Sequence, residues 1–168
     1  MLTAERLIKL YNMKPLPEEG GYYVETYRAH ESVGGSSLPE RYGSDRSFGT
    51  AIFYLLTPDT RSLMHRVASD EVYHFYLGDP VKLVLMHPGG TIKVIFLGQD
   101  IRAGQFVQAV VPAGMWQGAI LLEGGQYALM GATVAPGFEF GDREMGKRTE
   151  LLEQYPQHGD IIISLTED

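Results

Sequence analysis

The sequence predicts an all-β domain, a sandwich or barrel of short strands with a short helix at each end. Three observations point there. The 168 residues include 20 Gly, 9 Pro, 10 Tyr, 7 Phe and 1 Trp, a composition that favours strands joined by tight turns. From Thr50 onward, strand-like runs recur at roughly 8–12-residue spacing with turn-formers between them. Between Gly104 and Phe138 the single charged residue is Glu123. Strands that uncharged are expected to be covered on both sides, by a second sheet, a partner subunit or both, so a homodimer is expected.

Each element has its own signal. The front helix runs from Thr3 to about Met13: Thr3 can cap the free amides, Glu5 suits the positive end, and Leu7, Leu10 and Tyr11 share one face. The turn Pro17-Glu18-Glu19-Gly20-Gly21 opens a strand, Tyr22 to Arg28. Residues His30 to Ser47, rich in Ser, Gly and charge, read as a long loop. Eight strands follow: Thr50–Leu56, Ser62–Arg66, Glu71–Leu77, Val81–His87, Thr91–Leu97, Gln105–Val111, Gln117–Leu122 and Tyr127–Val134. Their separators include Thr57-Pro58-Asp59, Gly78-Asp79-Pro80, Pro88-Gly89-Gly90 and Pro112-Ala113-Gly114. A second helix is expected over Lys147 to Gln154, followed by a short apolar run, Ile161–Ile163. With no internal repeat, and a length near the typical ~150 residues, one domain over residues 1–168 is expected.

Charge and cysteine content narrow the function. The net charge is −7, which makes a phosphate backbone a poor partner, because nucleic-acid binding needs a basic face. Without cysteine there is no disulfide, thiolate zinc site, iron–sulfur cluster or cysteine nucleophile. The N-terminal residues have an early acid and no apolar run, unlike a signal peptide. The run Phe48 to Leu56 falls far short of the roughly 18 residues of a spanning helix. A cytoplasmic protein that engages neither nucleic acid nor membrane is expected. Phosphate-loop, dinucleotide-fingerprint and nucleophile-elbow motifs are all missing.

The chemistry concentrates in two stretches. His65-Arg66-Val67-Ala68-Ser69-Asp70-Glu71-Val72-Tyr73-His74-Phe75-Tyr76-Leu77-Gly78 reads as strand, polar turn, strand. The turn places His65 and Glu71 at facing ends of adjacent strands, either pairing across a hairpin or converging on one cavity. Imidazole and carboxylate suit a divalent metal and equally a general acid/base pair. Strand alternation puts Glu71, Tyr73 and Phe75 on one face and His74 and Tyr76 on the other. His74 therefore joins the catalytic candidates only if a bulge re-aims it; otherwise it works outside the cavity. The second stretch, Val111-Pro112-Ala113-Gly114-Met115-Trp116-Gln117, enters a strand with Trp116 and Gln117. The two read either as a platform for a sugar or amide, or as a core Trp beside a turn. Arg66, Tyr76 and Phe138, the last in the aromatic turn Ala135–Phe140, are further ligand-contact candidates. Arg28, Tyr22 and His30 read as structural.

These two stretches, about 40 residues apart on successive strands, resemble the paired motifs of the cupin superfamily. Glu71 to Gly78 keeps the spacing of the first motif, with His65 near one histidine position and Leu63 at the other. In the second motif, Pro112-x-Gly114 leads to Gln117 where cupins usually place histidine. The fuller resemblance is to the cupin-5 (DUF985) group. It covers Gly20–Arg28, Phe53-Tyr54-Leu55-Leu56, His65-Arg66, Asp70–Tyr76, Pro112–Gln117 and Pro136-Gly137-Phe138. That resemblance implies a double-stranded β-helix, or jelly roll, in a homodimer similar to the epimerases of deoxythymidine-diphosphate sugars. Three readings follow from it. In the favoured one, a sugar- or sugar-nucleotide-like ligand is epimerised or isomerised without a cofactor, His65 and Glu71 acting as acid and base. The second is a metal-dependent cupin, an isomerase or oxygenase, using His65, Glu71 and Gln117, with His74 as a further candidate, although Gln is a poor replacement for His. The third is a non-catalytic module that binds a small polar ligand.

Overall fold

The computed structural model describes residues 2–167. Helix α1 (Ala4–Tyr11) comes first. Thr3 Oγ1 accepts the Arg6 amide at its start, and Asn12, at φ 51°, closes it by donating its own amide to Ile8 and Lys9. The short strand β1 (Lys14–Pro15) pairs with β2 (Tyr22–Arg28) across the Pro17–Gly21 turn.

The expected long loop is partly ordered. Strands β3 (Ser32–Val33) and β4 (Arg46–Ser47) pair, and single 3₁₀ turns occupy Gly35–Ser37 and Glu40–Tyr42 between them. Arg46 anchors this segment. Its buried guanidinium pairs with Asp142 and donates to the carbonyls of Tyr42, Ser44 and Asp45.

The expected series of strands is present as β5 (Thr50–Leu56), β6 (Arg61–Val67), β7 (Asp70–Gly78), β8 (Val81–Met86), β9 (Ile92–Leu97), β10 (Gln108–Val111), β11 (Trp116–Leu121) and β12 (Ala128–Ala135). Strand β10 starts at Gln108 rather than Gln105, because the Gln105 side chain accepts the Asp100 amide and belongs to the preceding turn. A short strand β13 (Arg143–Met145) precedes α2 (Arg148–Gln154) and α3 (Gly159–Ser164). The Ile161–Ile163 run thus lies inside a third helix.

Two antiparallel sheets face one another. One has the order β1-β2-β5-β12-β7-β10, the other β13-β6-β11-β8-β9. Consecutive strands β6 and β7 belong to different sheets, so the turn at Ala68-Ser69 crosses the barrel instead of closing a hairpin within one sheet. Between the sheets, one end is packed shut by Leu56, Phe75, Leu83, Leu97, Leu121 and Met130 with their neighbours. Each large apolar side chain fully buried here contributes about 1.5–3 kcal/mol.

Parts of the outer faces are covered by the chain itself. Leu7 of α1 and Met13 lie on Leu55 and Leu129 of the first sheet. Leu151 of α2 and Ile162 of α3, with Leu165, lie on Met64, Val84, Met86 and Trp116 of the second. Strand β11 therefore owes its outer cover to α2 and α3, while on β12 α1 covers Leu129, the Tyr76 ring lies over Gly131 and Thr133 is exposed. Strand β10 stays open, with Val110 and the preceding Phe106 exposed. Among the described residues no helix is long and apolar enough to cross a membrane.

Candidate functional site

The open end of the barrel holds a cavity of about 480 Å³. Three strands connect the packed end to it: β5 starts there with Thr50 and Ile52, β7 starts there with Glu71 and Tyr73, and β12 ends there with Ala132 and Val134. The modest side chains of Thr50, Ala132 and Val134 leave the space that larger residues fill at the other end. Fully buried polar groups around that space need partners, and the partners define the site.

His65 reaches the cavity through an irregularity in β6. Pairing with β11 shifts between Gln117, opposite His65, and Ala119, opposite Ser62. This bulge lets Ser62 and His65, three positions apart, both serve the interior while Met64 packs under the C-terminal helices. The ring is buried, and its Nδ1 donates to the Leu63 carbonyl at 2.7 Å. A carbonyl only accepts, so Nδ1 carries the hydrogen and Nε2 faces the cavity. There, Glu19 Oε2 stands 3.7 Å away.

Glu19 is itself buried. Its carboxylate accepts from Ser62 Oγ at 3.0 Å and from Arg143 Nη1 at 3.3 Å, and its carbonyl accepts the Leu63 amide. Gly20 makes this approach possible. It sits at φ +92°, and a Cβ there would lie 2.4 Å from the Arg61 carbonyl oxygen.

Glu71 enters from the opposite sheet. Its Oε2 accepts from Gln117 Nε2 at 2.7 Å. Burial pushes its carboxyl up to about 7; the Glu19 charge pushes the same way, while His65 and the Gln117 hydrogen bond hold it down. Burial also raises the Tyr54 and Tyr73 phenols well above their ordinary range, with the Glu19 and Glu71 charges adding to it. Both therefore remain O–H groups, and Tyr54 donates to the Gly20 carbonyl at 2.9 Å.

The mouth is aromatic and charged. Phe138 and Phe140 meet edge to face at 5.4 Å, and Tyr23 and Phe140 at 6.5 Å. Beside them Arg28 donates to both oxygens of Glu25, to Glu139 Oε1 and to the Phe138 carbonyl. Lys14 lies 5.3 Å from the centre of the Tyr23 ring.

The expected site residues separate into two groups. His65, Glu71 and Phe138 line the cavity, and Gln117 supports Glu71 from just behind it. The others lie elsewhere. His74 keeps strict alternation and faces outward, bonded to Thr133 Oγ1 and Gln108 and stacked on Tyr76. A bulge does occur in β7, but at Tyr76, between the pairs Phe75–Met130 and Leu77–Leu129. It comes too late to turn His74 inward. Tyr76 is likewise external, against Phe53. Trp116 is a core residue beneath the C-terminal helices, and Arg66 caps its outer side at 4.6 Å while pairing with Glu144. Arg28, read as structural, lines the mouth. Glu19, Tyr23, Tyr54 and Phe140 were not singled out in the sequence. Only the Gly-Gly pair after Glu19 hinted that its turn presses against another strand.

A metal does not fit this donor set. Among the described residues, no three His, Asp or Glu side chains gather as a metal-holding group. Gln117 turns its amide nitrogen, not its oxygen, to Glu71, and Glu19 is committed to Ser62 and Arg143. Leu63 offers only its carbonyl, which His65 already uses.

Two facing antiparallel sheets around a polar cavity at one open end make this a cupin barrel. The chain belongs to the cupin superfamily family DUF985, whose family model matches residues 5–146. It is similar to uncharacterized protein YML079W of Saccharomyces cerevisiae, 31% identical over 145 residues that span 80% of this chain and 71% of the yeast protein. Among solved structures it is similar to protein SO0799 from Shewanella oneidensis, with a TM-score of 0.89 and 30% identity over 99% of both chains. It is also similar to a hypothetical protein from Leishmania major, with a TM-score of 0.90 and 30% identity over 99% of this chain and 100% of that one.

Proposed function

We propose that the barrel is an acid/base enzyme of the epimerase or isomerase type, acting on a small, polar, sugar-like ligand. One observation carries this reading: His65 and Glu71 enter the same cavity from opposite sheets, His65 with Nε2 open and Glu71 with its carboxyl pushed up to about 7. A ligand held between the sheets meets a base on one side and a neutral acid on the other.

The chemistry that suits this arrangement is proton exchange at a carbon next to a carbonyl. His65 Nε2 takes the proton, and the C–H electron pair delocalises onto the carbonyl oxygen. The Glu71 O–H then returns a proton to the opposite face of the carbon, and exchange with solvent resets the two groups. A poised acid and a poised base typically contribute about 10²–10⁴-fold in rate. The Leu63 carbonyl holds the imidazole, Glu19 Oε2 lies 3.7 Å from Nε2 where it favours the imidazolium once the proton is taken, and Gln117 holds Glu71.

The test is deuterium wash-in, followed by proton NMR, over a panel of carbonyl sugars and sugar nucleotides in D₂O. Wild-type protein is expected to exchange the hydrogen next to the carbonyl of a bound member, and His65→Asn to lose that exchange about 10²-fold or more. Binding of a panel member without exchange would overturn the reading in favour of a non-catalytic binding cavity.

A further inference from the structure

The charge inventory of the cavity selects among sugar-like ligands. Six formally charged side chains line it: Lys14 and Arg28 against Glu19, Glu25, Glu71 and Glu139. Arg28 is already engaged by Glu25, Glu139 and the Phe138 carbonyl, so it brings no uncompensated positive charge to the mouth. Arg143, just behind the lining, is engaged by Glu18, Glu19 and the Pro17 carbonyl. Three other cations of the barrel strands lie outside the cavity. Arg61 donates to the Ser164 carbonyl, Arg66 pairs with Glu144, and Lys82 is not in the lining. Lys14 alone lines the cavity without a carboxylate partner among the described residues, and it rests on Tyr23. A doubly charged pyrophosphate entering here would find one unengaged cation, Lys14, beside guanidinium groups already held by carboxylates, so it has no free bidentate partner to replace its water.

The same mouth suits an uncharged polyol. Hydroxyls donate to carboxylates, and hydrogen bonds to charged groups are the stronger kind. The half-exposed ring of Phe140 beside Phe138 and Tyr23, with Arg143 over it, offers an apolar wall for the C–H face of a sugar. We infer that the ligand is an uncharged free monosaccharide, an aldose or ketose, held by its hydroxyls at Glu25 and Glu139 and by its apolar face on Phe140, and that nucleotide-diphosphate sugars are excluded. This rests on the acid/base reading for its place in the cavity, but concerns which ligand enters.

Calorimetric titration of the wild-type chain with neutral aldoses and ketoses, with the corresponding sugar phosphates, and with nucleotide-diphosphate sugars tests it. Neutral sugars are expected to bind and nucleotide sugars not to. Phe140→Ala, at an exposed position, is expected to weaken the neutral sugar about tenfold, as expected for loss of one ring contact. Glu139→Gln is expected to weaken it too, while improving sugar-phosphate binding because Arg28 is partly released. Tighter binding of a nucleotide sugar than of any neutral sugar overturns the inference, as does failure of every neutral sugar to bind at millimolar concentration. A neutral sugar that binds without deuterium exchange refutes the acid/base reading and leaves this inference standing. A nucleotide sugar that binds tightest and exchanges does the reverse.

Discussion

His65 Nε2 lies 3.7 Å from Glu19 Oε2, while the other ring nitrogen is held at 2.7 Å by the Leu63 carbonyl. The two residues are 46 positions apart, and a left-handed glycine in a turn, together with a bulge in β6, brings them together. The geometry sets the ring's tautomer: long-range ¹H–¹⁵N NMR is expected to show the neutral ring protonated at Nδ1. Glu19→Gln keeps an acceptor for Ser62 but removes the charge beside Arg143, whose side chain is buried. An equilibrium unfolding experiment is expected to show a loss of about 1–3 kcal/mol. An Nε2–H tautomer would show that the Leu63 contact does not orient the ring.

Glu71 makes stability depend on pH in a direction opposite to most carboxylates. Its folded value, about 7, lies above its ordinary 4.5. Between those values the folded chain holds a proton that the unfolded chain has lost, so stability falls as pH rises through this window and levels off above it. The loss attributable to this one group is at most about 3 kcal/mol. Glu71→Gln removes the titration and keeps an acceptor for Gln117. Its melting temperature is expected to match wild type near pH 4.5 and exceed it at pH 8. Equal melting temperatures at both pH values would refute the burial effect.

Strand periodicity and turn chemistry made most of this fold legible in the sequence. Alternation correctly grouped Glu71, Tyr73 and Phe75 on the inner face, and Thr3 marked the start of α1. What stayed hidden depended on long-range contacts. Nothing local tells that Glu19, in a polar turn, inserts beneath β6, or that Arg28 faces the cavity mouth. Trp116 misled for a related reason: a lone Trp next to a turn looks like a ligand platform until the C-terminal helices are seen to cover it. The crossing turn between β6 and β7 is equally silent, because a two-residue link between strands reads locally as an ordinary hairpin.

That placement of Trp116 yields a separating experiment. The indole is buried with Met64, Leu151, Ile162 and Leu165, away from the cavity lining. Trp116→Ala is expected to cost about 3–5 kcal/mol in urea unfolding. The milder Trp116→Phe should lose less stability while leaving ligand affinity unchanged. Its fluorescence in the wild-type chain should follow detachment of α2 and α3 and respond little to ligand. A Trp116→Phe protein with wild-type stability but lost binding would return this residue to the ligand site.

The pair Arg46–Asp142 links stability to the shape of the mouth. Both side chains are buried, with side-chain exposures of 4% and 3%. Asp142 also accepts the Glu139 amide, so the same carboxylate that holds β4 fixes the turn carrying Phe138, Glu139 and Phe140. Removing one partner of a buried ion pair leaves an uncompensated charge and typically costs about 3–5 kcal/mol. Asp142→Asn is expected to lose stability on that scale and to weaken ligand binding through disorder at the mouth, although it touches no ligand. Replacing both residues by apolar ones of similar volume, Arg46→Met with Asp142→Leu, is expected to recover only part of the stability, because the Tyr42, Ser44 and Asp45 carbonyls lose the donor that Arg46 supplies. Binding should recover less, because leucine offers the Glu139 amide no acceptor. Hydrogen exchange of residues 138–142 separates the two effects. Protection that returns in the double variant without the return of binding would place the ligand contact on the Arg46–Asp142 pair itself.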